Sequence, residues 1–185
     1  MRICHLIYDD VSNPWLGGGG ALRAWEIYRR LAGRHQITLV CGNYPGAERE
    51  EVVDGVNIVR VGSCGSYAIS RLTYCAAAPK VLRQRPWDVW VHEFSAFAPL
   101  WIPGPARRRG ILFFYHFVGA HALKKHPVVG GVSWAAEFLT LKAYPNILTI
   151  SPSMGDQVRR RVSPDVQVDC VYSGVDVGCF QLVGA

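Results

Sequence analysis

Seven short runs of β-favouring, nearly continuous apolar residues recur along the chain, and helix-forming stretches separate most of them. The runs are Ile3 to Tyr8, Ile37 to Cys41, Val56 to Val61, Trp87 to His92, Ile111 to Tyr115, Ile147 to Ile150 and Val168 to Tyr172. A strand that is apolar on both sides must be covered on both sides, and parallel neighbours need long crossovers that helices supply. The alternation therefore predicts an α/β domain: a Rossmann-like, doubly wound, mostly parallel sheet of about seven strands with helices on both faces. Between the strands, Ala21 to Ala32 carries Leu22, Trp25, Tyr28 and Leu31 at helical spacing, with Arg23, Glu26, Arg29 and Arg30 between them, and stops at Gly33. Tyr67 to Gln84 predicts a helix kinked at Pro79, while Val132 to Ala143 and Ser153 to Arg161 predict two more.

With 185 residues, of which 50% are hydrophobic and 18% charged, the chain can fill one core, and residues 1–185 read as a single domain without repeats. The longest apolar stretch, Gly110 to Leu123, is interrupted by His116 and His121 and falls short of the roughly 20 residues of a spanning helix. Met1 to Asp10 turns acidic too soon for a signal peptide, which predicts a cytoplasmic address. Cys4, Cys41, Cys64, Cys75, Cys170 and Cys179 are scattered without a C-x-x-C pair, so free thiols are expected, with no metal and no cofactor.

Ligands of doubly wound sheets bind beyond the carboxyl ends of the strands, which directs attention to the residues that follow each strand. After the first strand, Gly17 to Gly20 lets backbone N–H groups approach a ligand, and the helix behind it offers a positive dipole end; phosphate suits both. The loop lacks the G-K-[ST] of a P-loop, and the dinucleotide fingerprint fails at its third glycine, which falls on Leu22 or Arg23. After the fourth strand, His92-Glu93 offers a base or hydrogen-bond partner for an acceptor hydroxyl, and after the fifth, His116 can meet a sugar hydroxyl or a transferring group. The steps from His116 to His121 to His126 do not match the i, i+4 spacing of a helical metal pair. Trp15, Tyr67, Phe94 and Phe97 are candidate stacking platforms. The formal charge of +6 is concentrated in Arg107 to Arg109, Lys124-Lys125 and Arg159 to Arg161. Next to Trp101, Ile102 and Pro103, the first cluster suggests peripheral membrane contact. No motif for reading nucleic acid is present, and none is expected as a partner.

The ordered passages Ile147-Leu148-Thr149-Ile150-Ser151-Pro152-Ser153 and Val171-Tyr172-Ser173-Gly174-Val175-Asp176, with Phe180 beyond, resemble the N-terminal half of the family 4 (group 1) glycosyltransferases. Gly18-Gly19-Gly20 with Arg23, the helix leading to His35-Gln36-Ile37-Thr38-Leu39-Val40, the Asp88 to His92 strand and the Tyr115-His116 strand end are similar as well. Ser173 stands where the family has asparagine, Gln36 where it has glutamate, and Phe117 where it has a small hydroxyl residue or aspartate.

The resemblance implies half of a GT-B fold and retaining transfer of a sugar from a nucleotide-sugar donor to an acceptor, without a metal. It implies a front-face mechanism in which the leaving phosphate helps deprotonate the acceptor. It also implies a catalytic-site role for His116 at the donor sugar and places Gly18, Gly19 and Gly20 at the donor phosphates or the acceptor, while the loops that follow the strands assign acceptor contacts to Asp9, Trp15, Arg23, His92, Glu93, His121 and Lys124, with a hinge expected at Gly174 and Asp176. The family's nucleotide-sugar-binding C-terminal domain is not among these residues, so the chain alone is expected to be inactive and to need that domain as a partner. The alternatives are a non-catalytic module or split subunit that binds a glycan, lipid or protein, and a nucleotide-dependent Rossmann enzyme, which the failed fingerprint disfavours.

Overall fold

The computed structural model describes residues 1–125 and 127–174, without the side chains of residues 119–121. Eight strands form one sheet: β1 (Arg2–Leu6), β2 (Gln36–Gly42), β3 (Glu50–Val53), β4 (Val56–Val61), β5 (Val89–Glu93), β6 (Gly110–Phe114), β7 (Asn146–Thr149) and β8 (Gln167–Cys170). Their spatial order is β3-β4-β2-β1-β5-β6-β7-β8, and every adjacent pair is parallel except β3 with β4. The expected doubly wound sheet is present, with one strand more than the sequence announced.

That extra strand is the edge hairpin β3–β4, which turns at Asp54 and Gly55, both at positive φ (49° and 78°). Two left-handed residues in succession make the tight turn whose twist suits a hairpin. The short Glu50-Glu51-Val52-Val53 segment lacks an apolar run. It pairs because β4 offers an open edge, and its two carboxylates are bound by Arg85 at 2.6 Å and Arg60 at 2.5 Å. Short, charged edge strands of this kind resist pairing with other chains.

The helices are α1 (Gly19–Leu31), α2 (Tyr67–Gln84), α3 (Gly104–Arg107), α4 (Gly119–Lys125), α5 (Pro127–Leu141) and α6 (Pro152–Arg159). α2 continues through Pro79 without interruption, buries Ser70, Arg71, Tyr74, Ala78 and Leu82 along one face, and is capped by the Ser66 hydroxyl, which accepts from the Ile69 N–H. α6 begins as expected at Ser151, whose hydroxyl accepts from the Met154 N–H at 3.2 Å. Two cores lie on opposite sheet faces. Ile7, Ala24, Tyr28, Ile37, Leu39 and Ile58 pack under α1, while the larger core holds Tyr8, Tyr74, Leu82, Trp90, Phe114 and Ile147. Trp90 has no exposed surface and donates its indole N–H to the Ala106 carbonyl at 3.1 Å.

Because β1 lies between β2 and β5, chain order runs outward in both directions from this pair. The connections after β1 and β5 thus diverge and open a crevice at the carboxyl edge, which is where a ligand is expected. Residues 9–20 and 93–97 border it.

Candidate functional site

A cavity of about 460 Å³ occupies this crevice. Its polar lining includes Asp9 after β1, Gly20 in the first turn of α1, Arg71 on α2, Glu93 at the end of β5, Ser95, and Tyr115 and His116 after β6. Tyr67, Phe94 and Phe97 supply aromatic walls.

The β1 side is anchored from behind. Asp10 turns away from the cavity to meet Arg60 of β4 at 2.7 Å, with both side chains only 2% exposed. Its other carboxylate oxygen accepts from the Ser12 N–H at 2.9 Å, forming an Asx turn that starts the loop. Asp9 is left on the cavity wall. Burial, reinforced by the nearby charge of Glu93 and partly offset by Arg71, raises its pKa to about 6.

Gly18 caps α1, and Gly19 and Gly20 form the start of the helix, so the glycine segment is half loop and half helix N-terminus. A side chain at Gly20 would place its Cβ 2.5 Å from Glu93 Oε1 and 3.3 Å from the Tyr115 hydroxyl. Any side chain there would push the Glu93 carboxylate aside, so glycine leaves the acid its present place beside α1. Glu93 is buried, with Oε2 3.2 Å from His5 Nε2, and His5 is itself wedged edge-on against Tyr28. Burial and the neighbouring Glu93 push the Tyr115 hydroxyl well above the usual phenol range. His116 stands exposed on the rim.

Not every residue picked out by the sequence reaches the cavity. His92 has no exposed surface; its Nδ1 is 2.9 Å from the Tyr144 hydroxyl, and burial, with a contribution from His5, lowers its pKa to about 3. It is a neutral core histidine on the opposite strand face from Glu93, which corrects its assignment to the acceptor side. Arg23 lies with its guanidinium 3.9 Å from the centre of the Phe113 ring, behind Tyr115, and is not part of the cavity lining. Trp15 meets the cavity only through Tyr67, edge to face at 6.4 Å, and Lys124 is exposed on α4 outside the lining. Gly174 is exposed after β8, while the side chain of His121 and residues His126, Asp176 and Cys179 lie outside the described residues.

Arg71 was missed by the sequence reading. It donates to the Phe97 carbonyl at 3.3 Å, to Ser95 Oγ at 2.7 Å and to the Tyr67 hydroxyl, and its guanidinium lies 4.6 Å from the centre of the Tyr8 ring. Its only signal was a lone arginine four residues after Tyr67 in a helix of weak amphipathic pattern. Phe117 packs on Phe114 with ring centres 4.8 Å apart, and Arg161 covers it at 4.4 Å, so the departure at this position serves packing. Among the described residues, Cys4, Cys41, Cys64, Cys75 and Cys170 are free, and no cluster of His, Cys, Asp or Glu could hold a metal ion.

The family model Glycosyltransferase Family 4 matches residues 17–178. No curated protein sequence matches the chain. Similar solved structures include a sucrose-phosphate synthase from Thermosynechococcus elongatus (TM-score 0.71, 12% identity, covering 97% of this chain and 50% of that one). The catalytic domain of Starch Synthase IV from Arabidopsis thaliana, bound to ADP and acarbose, is similar too (TM-score 0.57, 12% identity, 96% of this chain and 52% of that one). A third is WaaG, a glycosyltransferase involved in lipopolysaccharide biosynthesis (TM-score 0.56, 12% identity, 90% of this chain and 44% of that one). At these identities the likeness is one of fold, and the chain spans about half the length of each of these structures.

Proposed function

From the premise that the chain belongs to Glycosyltransferase Family 4, we propose that it is the acceptor-side half of a retaining glycosyltransferase that uses a nucleotide-sugar donor. The observation that carries this reading is the convergence of the α1 N-terminus, Glu93 and His116 on one cavity at the sheet's switch point.

Sugar transfer from a nucleoside diphosphate develops negative charge on the leaving phosphate, and stabilising that charge is the main catalytic task. The N–H groups at Gly18, Gly19 and Gly20 and the positive end of the 13-residue helix α1 are suited to it. His116, at the rim, is placed to hydrogen-bond the donor sugar. Glu93 and Asp9 face the space left for the acceptor and are positioned to accept hydrogen bonds from its hydroxyls, while Tyr67, Phe94 and Phe97 offer faces for stacking. The donor's base and most of its sugar contacts belong to a second, nucleotide-binding domain in this reading, consistent with the half-length coverage of the similar structures.

The test is transfer itself. The chain, paired with a nucleotide-sugar-binding domain and supplied with UDP-, GDP- and ADP-linked sugars and an acceptor pool, should release nucleoside diphosphate, whereas the chain alone should not. Proton NMR of the product should show the donor's anomeric configuration. An inverted product, or undiminished turnover in the His116→Ala, Glu93→Gln double variant, refutes the assignment.

A further inference from the structure

Helix α5 is inside out. Its inward face consists of Gly130, Ser133, Ala136, Glu137 and Leu141, mostly small or polar, while Val128, Val129, Val132, Trp134, Phe138 and Leu139 face solvent. Val128 is 81% exposed and Val132 61%. A helix on a soluble domain normally turns its bulky apolar side chains to the core. Here Glu137 takes the inward position and accepts the Val118 N–H, tying α5 to the loop that follows His116. The other end is held by close packing: a Cβ at Gly130 would collide with the α4 backbone at Ala122 and Leu123. The outward apolar face is therefore locked in place by its polar and glycine contacts.

Its chemistry identifies the occupant. Trp134 and Phe138 stack one turn apart with ring centres 6.0 Å apart, and Lys142, one turn further, places its ammonium 4.0 Å from the centre of the Phe138 ring. Exposed Leu123, Lys124 and Lys125 extend the surface along α4. From Phe94 to Gly155 the chain has six Lys or Arg residues and one acidic residue, the inward-facing Glu137. An apolar face bordered by tryptophan and lysine, with the single carboxylate of α5 turned inward, complements the boundary between acyl chains and anionic headgroups. The region near Trp101 that the sequence suggested for this role is less suited, because Ile102, one of its apolar residues, is buried. Among the described residues no helix is long and apolar enough to cross a membrane.

We propose that the outward face of α5, with Lys124, Lys125 and Lys142, docks the domain onto an anionic lipid surface. The experiment is flotation of the chain with phosphatidylcholine vesicles with and without phosphatidylglycerol, at low and high salt. Binding should require phosphatidylglycerol and weaken with salt. Replacing each lysine with glutamine should weaken it on the order of fivefold. The Val132→Asp, Phe138→Asp variant should lose binding while its circular dichroism spectrum is unchanged, since both positions are exposed. Equal binding to pure phosphatidylcholine overturns the proposal by marking non-specific adsorption. It is equally overturned by absent vesicle binding, whether or not light scattering shows a self-associated chain that the same variant returns to monomer.

Discussion

Replacing Asp9 with asparagine should stabilise the fold at neutral pH and do so less as the solution is acidified. The carboxyl titrates near pH 6 in the folded chain against an ordinary 3.8, chiefly because it is buried on the cavity wall. Between these values the folded state binds more protons than the unfolded one, so stability falls as pH rises through this window and levels off above about pH 6. A displacement of this size corresponds to about 3 kcal/mol, and water entering the cavity mouth brings the expected effect to about 2 kcal/mol. Asparagine carries no charge to desolvate. Urea unfolding of both proteins at matched pH isolates the contribution of Asp9 and its coupling to Glu93 and Arg71, because groups remote from it cancel in the difference. The variant's advantage should be near zero below about pH 4 and reach its plateau by pH 7. A pH-independent difference, or a loss of stability at pH 7, would show that Asp9 is not a desolvated charge on this wall. If the proposed acceptor-side role holds, the site keeps a costly ionised group on the wall assigned to the acceptor, a common exchange of stability for function.

Two further substitutions probe the frame around the cavity. Arg60→Met removes the cation that faces buried Asp10 and should cost about 3–5 kcal/mol in urea unfolding at neutral pH, an uncompensated carboxylate being left in the interior. A cost below about 1 kcal/mol would mean that water reaches Asp10. Gly20→Ala drives a Cβ into Glu93 Oε1 and should lower sugar transfer by at least about tenfold by displacing the acid, with thermal unfolding changed far less. Full activity in that variant would refute the proposed acceptor-side role of Glu93.

The strands at Val56 to Val61 and Ile147, the α1 helix stopped near Gly33, and the caps at Ser151 and the glycine segment are local features, set by side-chain period and backbone preference, and each was legible in the chain. β3 was not, because Glu50 to Val53 has little strand character until β4 presents an open edge beside it. Arg71 escaped notice because nothing in its neighbours on α2 signals that Phe97, Ser95 and Tyr67 will converge on it from other segments.

His92 and Glu93 show the limit most clearly. The sequence assigned both to the acceptor side, but adjacent strand residues point to opposite faces, and only Glu93 lines the cavity. Which one it is depended on how the β5 register sits against β1 and on where α5 leads into Tyr144, whose hydroxyl claims His92. The sequence alone likewise determined the layered α/β class, the family, and the crevice beyond the strand ends, because these follow from order and periodicity. Only the tertiary structure decided the protonation of Asp9, the burial of His92 and the outward turn of α5, because desolvation, and which face of a helix meets the core, are set by groups distant in the chain.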